Sequence, residues 1–184
     1  EMLKPPWQRQ GTGRALAGMM VLGLVLALSA TPAEAYTTTG CKWASSTAKY
    51  ANNTPSSYNT AVSSAASAWT SATDINWVTG SSGVVAYVVA GNYGASGYEG
   101  LTTWICNWAG TYQNLNIQLN RHYMDSHNAA RKKVIVMHEF GHALGLNHSS
   151  ASGYPVMATS PSNSYLNGTT SLKPDDIAGA NFLY

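Results

Sequence analysis

The stretch 138-HEFGHALGLNH-148 decides how this chain is read. It has the form H-E-x-x-H-x-x-G-x-x-H. On a helix, His138 and His142 stand at i and i+4 and project from one face, one above the other. Two neutral imidazoles so placed can share one zinc ion. Glu139 is one residue on, turned by about 100° around the axis. That puts it beside the metal, where it can hold the water that zinc binds. Gly145 can take the left-handed conformation that ends a helix without a Cβ penalty. The chain then turns and returns His148 as the third ligand. The short form H-E-x-x-H also arises by chance in helices, but the spaced glycine and third histidine favour a metal site. Three protein ligands leave one position open, the pattern of a catalytic zinc, so one Zn2+ ion is expected.

Working outward, the helix that carries His138 and His142 has a cap candidate in Ser126 or Asn128, and Ala130, Val134, Met137 and Gly141 line one face of it. Before it, Leu115 to Leu119 alternates as a strand, and Leu101 to Ile105 reads as another. Val84 to Val89 is a β-branched run bounded by glycines, a buried strand. Ile75 to Val78 is a further strand, and a first strand is expected between Lys42 and Tyr50. Tyr58, Val62, Ala65 and Trp69 recur at helical steps, with Thr54 or Ser56 as the cap and Pro55 in the first turn. That aromatic stripe reads as core. After His148, the segment from Pro161 to Ser171 reads as polar and irregular. Leu172-Lys173-Pro174-Asp175-Asp176 opens a last helix, with proline and acids where the helix dipole favours them. His122 and His127 read as surface histidines, and Arg131-Lys132-Lys133 as a solvated helix face.

The chain has 184 residues, which suits one domain. Charged residues are 10% and the formal net charge is +2, so there is no basic field for nucleic acid. Lys4, Arg9 and Arg14 precede an apolar run from Ala15 to Ala30, and Ala33-Glu34-Ala35 offers small residues where a signal peptidase reads. The run is shorter than the roughly 20 residues a membrane span needs. A signal peptide over residues 1–35 is therefore expected, leaving a secreted, extracellular domain over 36–184 with no membrane attachment. The alternative is an uncleaved anchor. In an oxidising compartment the two cysteines, Cys41 and Cys106, read as one disulfide.

The residues HEFGHALGLNHS around the zinc motif resemble those of the metzincin metallopeptidases, and of their matrixin (matrix metalloproteinase) branch in particular. Lys42-Trp43 and the end of the helix at Ala66 to Trp69 resemble the start of that domain. Val156-Met157 resembles the Met-turn that underlies the three histidines. Leu172 to Gly179, followed by Phe182-Leu183-Tyr184, is similar to the closing helix. The resemblance implies an α+β zincin-like fold: a twisted, mostly parallel five-stranded sheet, three helices and a small irregular C-terminal lobe. It also implies an upper subdomain over 36–146, a lower one over 147–184, and a monomer.

The resemblance also carries site roles. Glu139 would be the general base, and Met157 the methionine of the Met-turn. Leu101, Thr102, Thr103 and Trp104 would form the free strand edge that takes an extended protein or peptide substrate. Asp175 and Asp176 would brace the Met-turn and a mature N-terminal ammonium. Cys41 has a second reading here, as an inhibitory thiolate on the zinc. Two features depart from the family pattern. The structural zinc and calcium loops are not recognisable between Val78 and Leu119, and the six acids after Ala35 are few for a calcium cage. The residue two after Met157 is Thr159, so the tyrosine ligand of astacins and serralysins is missing. The expected function is a secreted zinc endopeptidase. The alternatives are a non-catalytic zinc- and protein-binding module, and a zinc amidase acting on cell-wall peptides.

Overall fold

The computed structural model describes residues 35–184. The expected signal segment, apart from Ala35, lies outside the described residues. Among the described residues no helix is long and apolar enough to cross a membrane.

The chain runs β1 (Thr47–Asn52), α1 (Ser56–Ala72), β2 (Asn76–Thr79), β3 (Ala86–Gly91), β4 (Gly100–Cys106), β5 (Tyr112–Asn120), α2 (Arg121–Met124), α3 (Ala129–Leu144), α4 (Pro161–Leu166) and α5 (Pro174–Leu183). The five strands form one sheet in the order β2-β1-β3-β5-β4. All neighbours pair in parallel except β4, which runs antiparallel to β5 at the sheet edge. This is the α+β, mostly parallel sheet expected from the sequence.

The stripe on α1 is core, as its period required: Tyr58, Val62, Ala65 and Trp69 are all fully buried. They pack with α3 under the sheet. The Trp69 indole N–H donates to the Met137 carbonyl at 2.9 Å, so a large aromatic crosses between the helices without stranding its polar atom. Phe140 on α3 meets Tyr50 and Trp77 from the sheet edge-to-face, at 5.2 and 4.7 Å between ring centres. Helix α3 thus carries the zinc motif on one side and is anchored through apolar rings on the other.

Several local expectations are corrected. The first strand begins at Thr47, and Lys42 makes only a lone bridge to Thr111. Trp43 is instead a core residue whose indole N–H donates to Ala143 at 2.8 Å. Pro55 itself holds the cap position of α1 with no side-chain cap; Thr54 is taken up by a local turn on the Asn52 carboxamide. The segment after Met157 is not wholly irregular, because Ser160 caps α4 through the Asn163 amide and Pro161 pre-sets its first turn. Arg121 to Ser126 includes the short α2, capped by Asn120. Ala130 is exposed, and so is Phe182, which lies against Tyr36 at 5.7 Å between rings.

Candidate metal centre

Helix α3 is capped at its start by Asn128, whose side chain accepts from Arg131 N at 2.9 Å. It ends at Gly145, which has φ of +112°. The Cys41 carbonyl packs so close to Gly145 that a Cβ there would strike it. Both conditions demand glycine, and both turn the chain so that His148 comes back toward the helix.

Among the described residues, His138, His142 and His148 form the cluster able to hold a metal, with ligand atoms all within 4.8 Å of one another. The rings of His138 and His142 are fixed by backbone carbonyls. His138 Nδ1 lies 2.8 Å from Val156 O, and His142 Nδ1 lies 2.8 Å from Leu146 O. A carbonyl only accepts, so both Nδ1 atoms carry the proton. Both Nε2 atoms are then bare acceptors, and they face each other at 3.0 Å. Two lone pairs aimed at one point repel unless a cation sits between them. The donor set therefore fits zinc, with neutral imidazoles converging and backbone carbonyls behind them fixing their orientation. Burial holds the His138 imidazolium down to about 3, and burial also lowers His142 and His148, so the histidines are neutral at pH 7.

Glu139 is buried and lines the same cleft as the three histidines. Burial pushes its carboxyl up to about 7, against a hydrogen bond from Thr102 that lowers it. The Thr102 hydroxyl lies 2.7 Å from Glu139 Oε2 and 3.1 Å from the Glu139 carbonyl. A Cβ on Gly100 would overlap the same carboxylate. The start of β4 therefore presses on Glu139 and sets its rotamer. Sequence reading marked Thr102 only as part of an edge strand, because nothing local links positions 37 residues apart.

Met157 is buried beneath the histidine helix. Its sulfur packs against Gly141, so closely that a side chain at 141 would collide with it. The turn around it is held by Asp176, a fully buried carboxylate that accepts from Val156 N at 3.0 Å, Met157 N at 2.9 Å and Lys173 N at 2.8 Å. Asp175 accepts from Ala35 N at 3.0 Å and from the Ser149 hydroxyl at 2.5 Å. The two acids thus divide their work, Asp176 to the methionine turn and Asp175 to the N-terminal segment.

Over residues 80–184 the chain matches the family model of the matrixins. The chain belongs to the matrixin family. The histidine triad of this matrixin fits zinc binding. Among solved structures it is similar to myroilysin, at 19% identity and a TM-score of 0.43, over 61% of this chain and 54% of that one. It is also similar to high choriolytic enzyme 1, a hatching-enzyme zinc protease of the medaka fish Oryzias latipes, at 17% identity and a TM-score of 0.36, over 61% of this chain and 52% of that one. The matrixin chain spans about half the length of these structures.

The remaining site residues fall as follows. Leu101, Thr102, Thr103 and Trp104 all lie on β4, the sheet edge, and all but Thr103 line the cleft. Cys41 and Cys106 are disulfide-bonded, so the reading of Cys41 as a thiolate on zinc is set aside. Two surface readings are corrected. His127 is mostly buried against Glu99, and Arg131 is partly buried against Glu99 and Ser162. Lys132 sits 4.8 Å over the Tyr58 ring, and Lys133 reaches the Thr170 carbonyl at 3.4 Å. The face from Arg131 to Lys133 is therefore half-buried, and its charged ends are partnered by other elements.

Proposed function

We propose that this matrixin is a secreted endopeptidase that hydrolyses peptide bonds in extended protein substrates. The observation that carries the reading is the pair of bare Nε2 atoms at 3.0 Å beside the buried carboxylate of Glu139, in one cleft of about 730 Å³. His138, His142 and His148 would hold one zinc ion. When bound, zinc supplies a Lewis acid that polarises a carbonyl and acidifies water. Glu139 takes the proton from the attacking water at Oε1 while Oε2 stays anchored on Thr102. It then gives the proton to the leaving amine. A carboxyl that burial lifts toward neutrality suits both halves of that exchange.

The substrate lies along β4, whose outer edge has its backbone groups free of the sheet. Main-chain bonds of that kind take any sequence, so selection falls to side-chain recesses. Secretion is supported by the signal-like residues before Tyr36 and by the Cys41–Cys106 disulfide.

The test is mature protein on a denatured protein substrate, with and without chelator. Glu139→Ala should keep its zinc and lose cleavage by about 100-fold or more. Cleavage at the parent rate would sink the mechanism. A parent that binds no zinc would sink the metal site.

A further inference from the structure

Four side chains from four segments meet beside the cleft. Glu99 precedes β4, His127 precedes α3, Arg131 is in the first turn of α3, and Ser162 is on α4. Arg131 Nη2 donates to Glu99 Oε1 at 3.0 Å, and His127 Nε2 lies 2.6 Å from the same oxygen. Arg131 Nε donates to the Ser162 hydroxyl at 2.9 Å, and that hydroxyl donates to Glu99 Oε2. The Glu99 and Arg131 side chains are 21% and 25% exposed, so they are held yet reachable. Glu99, Arg131 and Ser162 line the cleft together with His138 and Glu139.

The bonds leave a defined remainder. Arg131 Nη1 takes part in none of them, and the Arg131 side chain lines the cleft and is partly exposed, so its N–H donors are within a ligand's reach. A carboxylate has about four acceptor sites. The bonds from Arg131, His127 and Ser162 use three of them in Glu99. Spare donors on Arg131 and a spare acceptor on Glu99 therefore belong to two paired side chains that both line the cleft.

Resting on the peptidase reading above, we infer that this recess selects a carboxamide side chain, glutamine or asparagine, next to the scissile bond. The amide oxygen accepts from Arg131 and the amide nitrogen donates to Glu99. Apolar and charged side chains fit less well. A leucine or phenylalanine would strip water from both groups and replace none of their hydrogen bonds. A carboxylate would meet Glu99 with the Arg131 charge already balanced. A lysine or arginine would meet Arg131. Ser162 and His127 hold Glu99 and Arg131 in place and are positioning residues.

The test has two arms. In the first, a denatured proteome digest is digested by the parent, and the residues flanking each cut are read by mass spectrometry. Glutamine and asparagine should be enriched about tenfold over leucine and isoleucine at one position adjoining the cut. Arg131→Leu should reverse that preference. In the second, hexapeptides randomised at their central positions are retained on immobilised Glu139→Gln protein, and the bound residues are counted. The same enrichment is expected without any turnover. Cutting with aliphatic residues preferred overturns the recess and leaves the peptidase reading intact. Selective retention with no cutting by the parent supports the recess and overturns the peptidase reading. Retention with no carboxamide preference overturns the recess whether or not Arg131→Leu folds.

Discussion

Replacing Asp176 is the sharpest probe of how the metal site is held. Its carboxylate sits with no exposed surface and accepts three backbone N–H groups, from Val156, Met157 and Lys173. Hydrogen bonds to a charged group are worth about 1.5–3 kcal/mol each, so the three amount to roughly 5–9 kcal/mol before desolvation. The desolvation is real: burial pushes the Asp176 carboxyl up, despite those three donors. The net contribution is therefore well below the gross sum. Asp176→Ala leaves three buried donors unpaired and should cost about 3–5 kcal/mol. At about 2–4 °C per kcal/mol for a domain of this size, the melting temperature falls by about 6–20 °C.

Asp176→Asn should be milder, and the geometry says why. Oδ2 takes the Val156 and Lys173 amides, while Oδ1 takes only Met157. An asparagine with its oxygen at the first position keeps two bonds and turns its NH2 toward the Met157 amide. It loses one bond, about 1–3 kcal/mol, and has no charge to desolvate. Both variants should also weaken zinc binding. The Val156 carbonyl orients His138, and the loss of such a hydrogen-bond partner behind a ligand costs about 10–100-fold in metal affinity. Thermal melts followed by circular dichroism and competition against a chromogenic chelator measure the two effects. A melting temperature for Asp176→Ala within 2 °C of the parent, or an asparagine variant less stable than the alanine one, would refute the reasoning (about 1 kcal/mol is resolvable).

Other perturbations follow from the same contacts. Gly100→Ala should lower kcat by tenfold or more with zinc retained, because the new Cβ must displace the Glu139 carboxylate; unchanged kcat would show that Glu139 has another rotamer to use. Reducing the Cys41–Cys106 bond, which closes a 65-residue loop, should cost about 4 kcal/mol, read as a lower denaturant midpoint; no shift would mean the loop is held elsewhere. In the metal-free protein the three ligand imidazoles have folded pKa values below the ordinary 6.5. Their neutral form contributes stability that is present above pH 6.5 and lost as pH falls toward 3. The raised Glu139 carboxyl acts in the opposite direction between pH 4.5 and 7, so the comparison is made in Glu139→Gln: that metal-free variant should melt lower at pH 5 than at pH 7.5, and equal melting at both would contradict the burial of His138.

What the sequence shows of this molecule is what short spacing can encode. The i, i+4 histidines, the glycine that ends α3 and the stripe on α1 are all periodic or local. Ser160 before α4 and Pro161 at its first position are local too, yet that helix is hidden in the sequence, because six polar-rich residues leave no apolar period to see. Thr102 on Glu139, and Glu99 between His127, Arg131 and Ser162, join positions 28 to 63 residues apart. Only the sheet order and the crossing of α3 bring them together. A charged triplet such as Arg131-Lys132-Lys133 reads as solvated for the same reason: its partners are on other elements.

The third ligand shows how far the site depends on such distant contacts. His148 lies beyond the helix, so α3 alone does not place it. The N-terminal segment does much of that work. Thr39 N donates to the Gly145 carbonyl at 2.8 Å, and Asn147 N donates to the Thr37 carbonyl at 2.7 Å. The Thr37 hydroxyl donates to the His148 carbonyl at 3.0 Å, and Ser149 N donates to Met157 O at 2.8 Å. The loop is thereby stitched between the N-terminal segment on one side and the methionine turn on the other. The disulfide then ties Cys41 to the end of β4, the strand whose start presses on Glu139. Base, third ligand and methionine turn share one frame, and zinc affinity should fall when the N-terminal segment is loosened, even though none of its residues offers the metal a ligand.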